Sequence, residues 1–207
     1  MFVIGLTGGI ASGKSTAAEQ LRALGAVVIG ADRLGWRVYD PGTPGFQKVV
    51  NEFGHEIVDE DGTVNRQVLG GKVFGDPEEM KRLNDIAWPE IRRLAQTEIA
   101  ECRRRGAEVV VLEAAVLIEA GWQDLVDEVW VVSAKPAVAL ERLVKRNGLT
   151  EEAAQTRLDA QLTNRDRESE ADVKIDNSEK LERFEKRVKT QWRRLQKRIA
   201  EPAGKRR

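Results

Sequence analysis

The sequence predicts an α/β protein, a five-stranded parallel sheet between helices in a three-layer αβα sandwich, with a helical lobe inserted between the second and third strands. Three features predict it. Short apolar runs alternate with longer helical patterns, the arrangement of a parallel sheet with helices on both faces. The first run meets a glycine-rich turn, "FVIGLTGGIASGKST" at Phe2 to Thr16, that opens a helix. Residues 30–107, between the second and third runs, are far more than one crossover helix needs.

The candidate strands are Phe2 to Leu6, Ala26 to Ile29, Glu108 to Leu112, Glu128 to Val132 and Val173 to Ile175. Helical spacing of apolar residues runs from about Lys14 to Leu24, Pro77 to Arg105, Pro136 to Arg146, Glu151 to Asn164 and Lys180 to Arg198. The inserted stretch is punctuated by the turns Pro41-Gly42, Pro44-Gly45 and Asp61-Gly62. Lobes over strand ends usually hold a second substrate. The division expected is one domain: a core of 1–34, 106–150 and 171–200, a substrate lobe of about 35–105 and a lid of about 146–170.

Composition narrows the class. The 207 residues suit one domain or a domain with a small lobe, and Lys+Arg 34 against Asp+Glu 34 gives no global field for nucleic acid or an anionic membrane. The basic tail "KRVKTQWRRLQKRI" puts Val188, Trp192, Leu195 and Ile199 at helical spacing, which favours a docked helix with a solvated basic face over an RNA or membrane contact. One cysteine, Cys102, excludes an intramolecular disulfide, and with one histidine, His55, it excludes an all-Cys/His zinc site. No leader pattern or apolar span is visible, so a cytoplasmic protein without an obligate protein partner is expected.

Gly8 to Ser15 satisfy the pattern G-x-x-x-x-G-K-[ST], and the strand before it and helix after it are its confirming context. Glycines let backbone N–H groups close on phosphate oxygens without a Cβ in the way, and the helix adds its positive dipole end. Gly8, Gly9, Ala11, Ser12, Gly13, Lys14, Ser15 and Thr16 are therefore the expected ATP-binding residues. Lys14 should reach the β- and γ-phosphates, Ser15 should ligate Mg²⁺, and Thr16 can cap the helix or meet the α-phosphate. The ligand expected is a nucleoside triphosphate, ATP, with Mg²⁺.

Such a loop alone does not separate a GTPase, an ATPase motor and a small-molecule kinase. The guanine-recognition pattern Asn-Lys-x-Asp is absent. Asp32, in "VVIGADRLG", falls at the carboxyl end of the second strand, the edge where ligands bind in such sheets. There a carboxylate can take the proton of an acceptor hydroxyl, and the same position also suits an N-cap. Glu113 ends the third strand, where it can hold Mg²⁺ directly or through water, or form an ordinary ion pair; Glu119 could serve instead. Of the arginines Arg142, Arg146, Arg157, Arg165 and Arg167, the two expected to carry charge to the transferring group are Arg146 and Arg157.

Taken together, "IGLTGGIASGKST", "VVIGADRLGWRVYDPGTPGFQKVVNEFG", "DGTVNRQVLGGKVFGDPE", "VLEAAVLIEAGW", "RLVKRNGLTEEAAQTRLDAQ" and "ADVKIDNSE" resemble the dephospho-coenzyme A kinase family almost end to end. The resemblance implies a P-loop kinase fold with an arginine-bearing lid. It implies transfer of the γ-phosphoryl group of ATP to the ribose 3′-hydroxyl of dephospho-coenzyme A. It carries Asp32 over as the base, Asn177 as a neighbour of the adenine, and the Arg37 to Phe53 segment as facing the acceptor. Trp88-Pro89 stands where many bacterial members have His-Pro, and Ala115-Val116-Leu117 where they have Pro-Leu-Leu; both look more like the kinase half of the animal bifunctional coenzyme A synthase. Because the chain opens at the P-loop strand, the final kinase step alone is expected. Another small P-loop kinase, or a nucleotide-binding switch without chemistry, is the alternative.

Overall fold

The strand β1 (Phe2–Gly8) has no charged side chain, and six of its seven residues are buried. A strand so apolar belongs inside a sheet covered on both faces. In the computed structural model of the chain, which describes residues 1–201, β1 lies between β3 (Val109–Glu113) and β4 (Glu128–Ser133). With β2 (Val27–Gly30) and β5 (Val173–Asp176) the order is β2-β3-β1-β4-β5. The sheet is parallel, and Leu6 of β1 faces Glu113 on one side and Trp130 on the other. The register therefore brings Glu113 to the edge where β1 ends at Gly8.

The described chain divides into two compact units: Met1–Ile29 with the chain from Glu101 onward, and Gly30–Ala100. In the first, alternation along the strands sends Ile4, Leu6, Val109, Val111, Trp130 and Val132 to one face of the sheet. There they pack with Ala17, Ala18 and Leu21 of α1 (Lys14–Ala23) and with Phe184, Val188, Trp192 and Leu195 of α9 (Leu181–Ala200). The tail is thus a docked helix. Part of its basic face is paired: Arg187 meets Asp176 at 2.9 Å, and Arg198 pairs with Glu128. Glu128 is held below the usual carboxylate range, since burial, which raises it, is outweighed by bonds from Arg198 and Trp130.

The second unit has its own core of Val49, Phe53, Ile57, Val64, Leu69 and Val73. Its helices are α2 (Ala31–Val38), α3 (Pro44–Phe53), α4 (Arg66–Val73) and most of α5 (Pro77–Arg104). Local chemistry sets their starts. Thr43 accepts from the Phe46 N–H with Pro44 at the first helical position, Asn65 accepts from Gln67 and Val68, and Asp76 accepts from Glu78 and Glu79. The Asp61-Gly62 turn is real, with a Val58–Val64 bridge across it.

One predicted helix differs. The span expected from Glu151 to Asn164 is two helices, α7 (Glu151–Asp159) and α8 (Asn164–Ser169), after α6 (Pro136–Asn147). Thr163 caps α8 by accepting from the Asp166 N–H at 3.1 Å while bonding its carboxylate at 2.7 Å. That capping box starts a new helix.

Phe184 is fully buried between α1 and the sheet. Phe184→Ala should cost about 3–5 kcal/mol, seen as a lower urea midpoint at unchanged m-value, as expected for a cavity in a closed core.

Candidate active site

The turn between β1 and α1 holds a shape that side chains oppose. Gly13, the N-cap of α1, has φ 98°, and Ala11 is the only described non-glycine residue with positive φ, at 58°. A Cβ on Gly8 would fall on the carbonyl oxygen of Val132 in β4, and one on Gly13 would fall on the side-chain amide of Asn177. The absence of side chains here is forced by neighbouring atoms as well as by φ. No side chain caps α1 and no acidic residue lies in its first turn, so its N–H groups and positive dipole end remain for an anion.

Lys14 and Ser15 open α1 and turn toward the end of β3. The Ser15 hydroxyl donates to Glu113 Oε1 at 3.0 Å, and Lys14 Nζ lies 3.8 Å from the same oxygen. A hydroxyl and a carboxylate at this distance suit Mg²⁺, which keeps several waters and takes few protein oxygens. Among the described residues there is no cluster of three or more His, Cys, Asp or Glu side chains that could hold a metal unaided. Thr16 is exposed in the same turn.

Asn177 follows β5 and is buried, and its Nδ2 donates to the carbonyl of Ser12 at 2.7 Å. Its amide thus ties the end of β5 to the loop.

Facing the loop from α7 and α8 is a cavity of about 280 Å³, lined among others by Gly9, Ile10, Ser12, Gln161, Leu162 and Arg167. Gln161 Oε1 accepts from the Ile10 N–H at 2.8 Å. Arg167 is 1% exposed; it donates to Glu119 Oε1 at 2.7 Å and to the Leu162 carbonyl at 3.0 Å. The Ser12 hydroxyl, Arg167 Nε and Glu119 Oε2 are buried without hydrogen-bond partners among the described residues. Unsatisfied groups of both signs beside the glycine-rich loop fit a polar ligand such as a nucleotide.

Arg146 is exposed, its Nε donating to Asn147 Oδ1 at 2.9 Å, and Arg157 is exposed on α7. The arginine buried against the loop is Arg167. The Thr163–Asp166 pair signals the break between α7 and α8, but not the partners of Arg167. Gln161, in the connection so created, had no signal of its own. Glu119 pairs with Arg167, while Glu113 is the carboxylate beside Lys14 and Ser15.

In the second unit, Asp32 is exposed in the first turn of α2, two residues past β2. Gly30 takes the N-cap position, so the carboxylate is not consumed as a cap. Arg37 pairs with Glu98 at 2.7 Å. Trp88 is half-buried in α5, which continues through Pro89.

A parallel sheet with β1 at its centre and a glycine loop between β1 and α1 defines a P-loop kinase fold. The chain's resemblance to a shikimate kinase of Bacteroides thetaiotaomicron, at TM-score 0.54 and 15% identity over 94% of this chain and 98% of that one, shows the same fold. Residues 2–183 match the model of the family described as dephospho-CoA kinase, and the chain belongs to that family. A dephospho-CoA kinase of Geobacter sulfurreducens is 45% identical over 192 residues, 93% of this chain and 98% of that protein. One of Moorella thermoacetica is 41% identical over 208 residues, covering 99% and 98%. A Thermus thermophilus protein of known crystal structure superposes with TM-score 0.76 at 31% identity, over 94% and 97% of the two chains.

Two outcomes test this geometry. Gly13→Ala should abolish the rise in melting temperature that saturating ATP gives the parent, because the loop cannot close around the added methyl. Glu119→Ala should destabilise by about 3–5 kcal/mol in chemical denaturation by stranding the buried Arg167 cation, and pairing it with Arg167→Met should recover much of that loss.

Proposed function

We propose that this chain transfers the γ-phosphoryl group of ATP to the ribose 3′-hydroxyl of dephospho-coenzyme A, giving coenzyme A and ADP, the last step of coenzyme A synthesis. The observation that carries the reading is the family match over residues 2–183 together with an intact Gly8-to-Ser15 loop whose Ser15 meets Glu113. ATP use follows from kinase family membership; Mg²⁺ and a cytoplasmic location are part of the proposal. No helix among the described residues is long and apolar enough to cross a membrane.

In this reading the acceptor 3′-oxygen attacks the γ-phosphorus as the bond to the β,γ-bridging oxygen breaks. Asp32 accepts the hydroxyl proton, and the bridging oxygen leaves with ADP. Lys14, the loop N–H groups and the α1 dipole stabilise the charge on the transferring group. Ser15 and Glu113 would hold Mg²⁺, which when bound supplies positive charge to the phosphate oxygens. Arg146 and Arg157, exposed on α6 and α7, are assigned to the transferring phosphoryl group; Arg167 acts through the loop and Gln161. Asn177, whose amide bonds the loop, is assigned to the ATP site near the adenine. Arg37 and the stretch onward to Phe53 are assigned to the acceptor.

The exposed position of Asp32, outside the N-cap role, supports its assignment as base. Purified protein should release ADP with dephospho-coenzyme A and not with nucleosides, nucleoside monophosphates, shikimate or gluconate; the opposite pattern would remove the assignment. Asp32→Asn should lower kcat by roughly a hundredfold or more with little change in the KM for ATP. Near-parental kcat in that variant would sink Asp32 as the base.

A further inference from the structure

α2 is an amphipathic helix with one residue its pattern does not explain. Ala31, Leu34 and Val38 are buried, at the i, i+3, i+7 spacing of a core-facing stripe. Asp32, Arg33, Trp36 and Arg37 face outward. Trp36 is 61% exposed, although three of the chain's five tryptophans, Trp122, Trp130 and Trp192, are buried. A large indole left in water on the polar face of a helix is the kind of exposure that marks a contact surface.

Trp36 is also not loose. The guanidinium of Arg66, from the first position of α4, lies over its ring at 4.9 Å from the centroid. Arg66 Nη2 donates to the Trp36 carbonyl at 3.4 Å as well. The cation–π contact thus braces the indole as a flat, electron-rich surface beside a permanent positive charge, and the hydrogen bond ties Arg66 to the α2 backbone.

The position along α2 relates this platform to Asp32. Residues i and i+4 lie on one face of a helix, separated by about 6 Å of rise. Within a nucleoside, the 3′-hydroxyl and the base are carried by the same ribose, a few bonds apart. A ribose whose 3′-hydroxyl meets Asp32 therefore carries its base to the next turn of α2, where Trp36 stands.

We propose that Trp36, held by Arg66, is the stacking platform for the purine base of the acceptor nucleotide, with the Arg66 cation lying beside the acceptor's own phosphates. The inference rests on the acceptor reading given under Proposed function and adds the residue pair that recognises its base. Stacking on an indole is tolerant of base identity, so the pair selects a planar base and does not by itself read its edge.

Trp36 and Arg66 are both exposed, so their variants should fold, as a melting temperature close to the parent's would verify. With the full chain, dephospho-coenzyme A added without ATP should quench tryptophan emission in a saturable way. Trp36→Phe should lose that quench. Trp36→Ala should raise the KM for dephospho-coenzyme A by roughly five- to a hundredfold, the range of one lost base stack, and leave the KM for ATP unmoved. Arg66→Ala should raise the same KM, with Arg66→Lys recovering only part because an ammonium lacks the planar face.

Full turnover with an unmoved acceptor KM in Trp36→Ala, or a quench that persists in Trp36→Phe, would overturn the platform and leave the kinase reading intact. A parent protein that neither binds nor phosphorylates dephospho-coenzyme A would overturn both.

Discussion

The structure depends on the close approach of β1, β4 and β5 around a turn with no room for a Cβ at Gly8 or Gly13. Gly8 touches the backbone of β4 and Gly13 touches Asn177, which itself follows β5. The order β2-β3-β1-β4-β5 puts β1 between β3 and β4, so both neighbours contribute: β4 supplies the wall against Gly8, and β3 supplies Glu113. The cradle is thus a property of the sheet. The core that holds this register, from Ile4 through Phe184 to Leu195, keeps the turn rigid enough for backbone N–H groups to replace water around phosphate.

Around this turn, carboxylates are distributed so that two cations have different duties. Lys14 is only loosely engaged with Glu113 at 3.8 Å, and the carboxylate's nearer partner is Ser15 at 3.0 Å. A lysine held at that distance can move to an incoming phosphate at small cost. Arg167 is the opposite: buried, bonded twice and paired with Glu119. Pulling it out would strand Glu119 and leave a desolvated charge, so it acts as a fixture that sets the α7–α8 connection against the loop.

The sheet and the loop were legible because they rest on local signals. Period, length and glycine spacing locate strands to within a residue or two, and the Walker pattern states its own chemistry. The helix boundary at Ala160 was missed because apolar spacing continues across it while a four-residue capping box breaks it; that box should have outranked the spacing. The roles of Arg167 and Asn177 were beyond sequence reading for a different reason. Each is defined by a partner more than forty residues away, Glu119 for one and Ser12 for the other, and side-chain type is silent about partners at that range. Asp32 lay between these cases: its placement past β2 was readable, but only the cap geometry at Gly30 separates a free carboxylate from a capping one.

The bond between Gln161 and the Ile10 N–H fixes what the α7–α8 connection can do at the cradle. A neutral amide acceptor satisfies a loop N–H for a net gain of about 1 kcal/mol, so releasing that N–H to a stronger anionic acceptor costs little. A carboxylate in the same place would form a stronger bond to the loop and would also repel each phosphate that approaches. A hydrocarbon would leave the Ile10 N–H for water. Of the side chains that can reach, an amide is the one that keeps the loop in shape without opposing the charge the loop exists to bind. The fixed Arg167 supplies the positive potential that Gln161 does not, and the two together let the same short connection brace an empty cradle and accept a filled one.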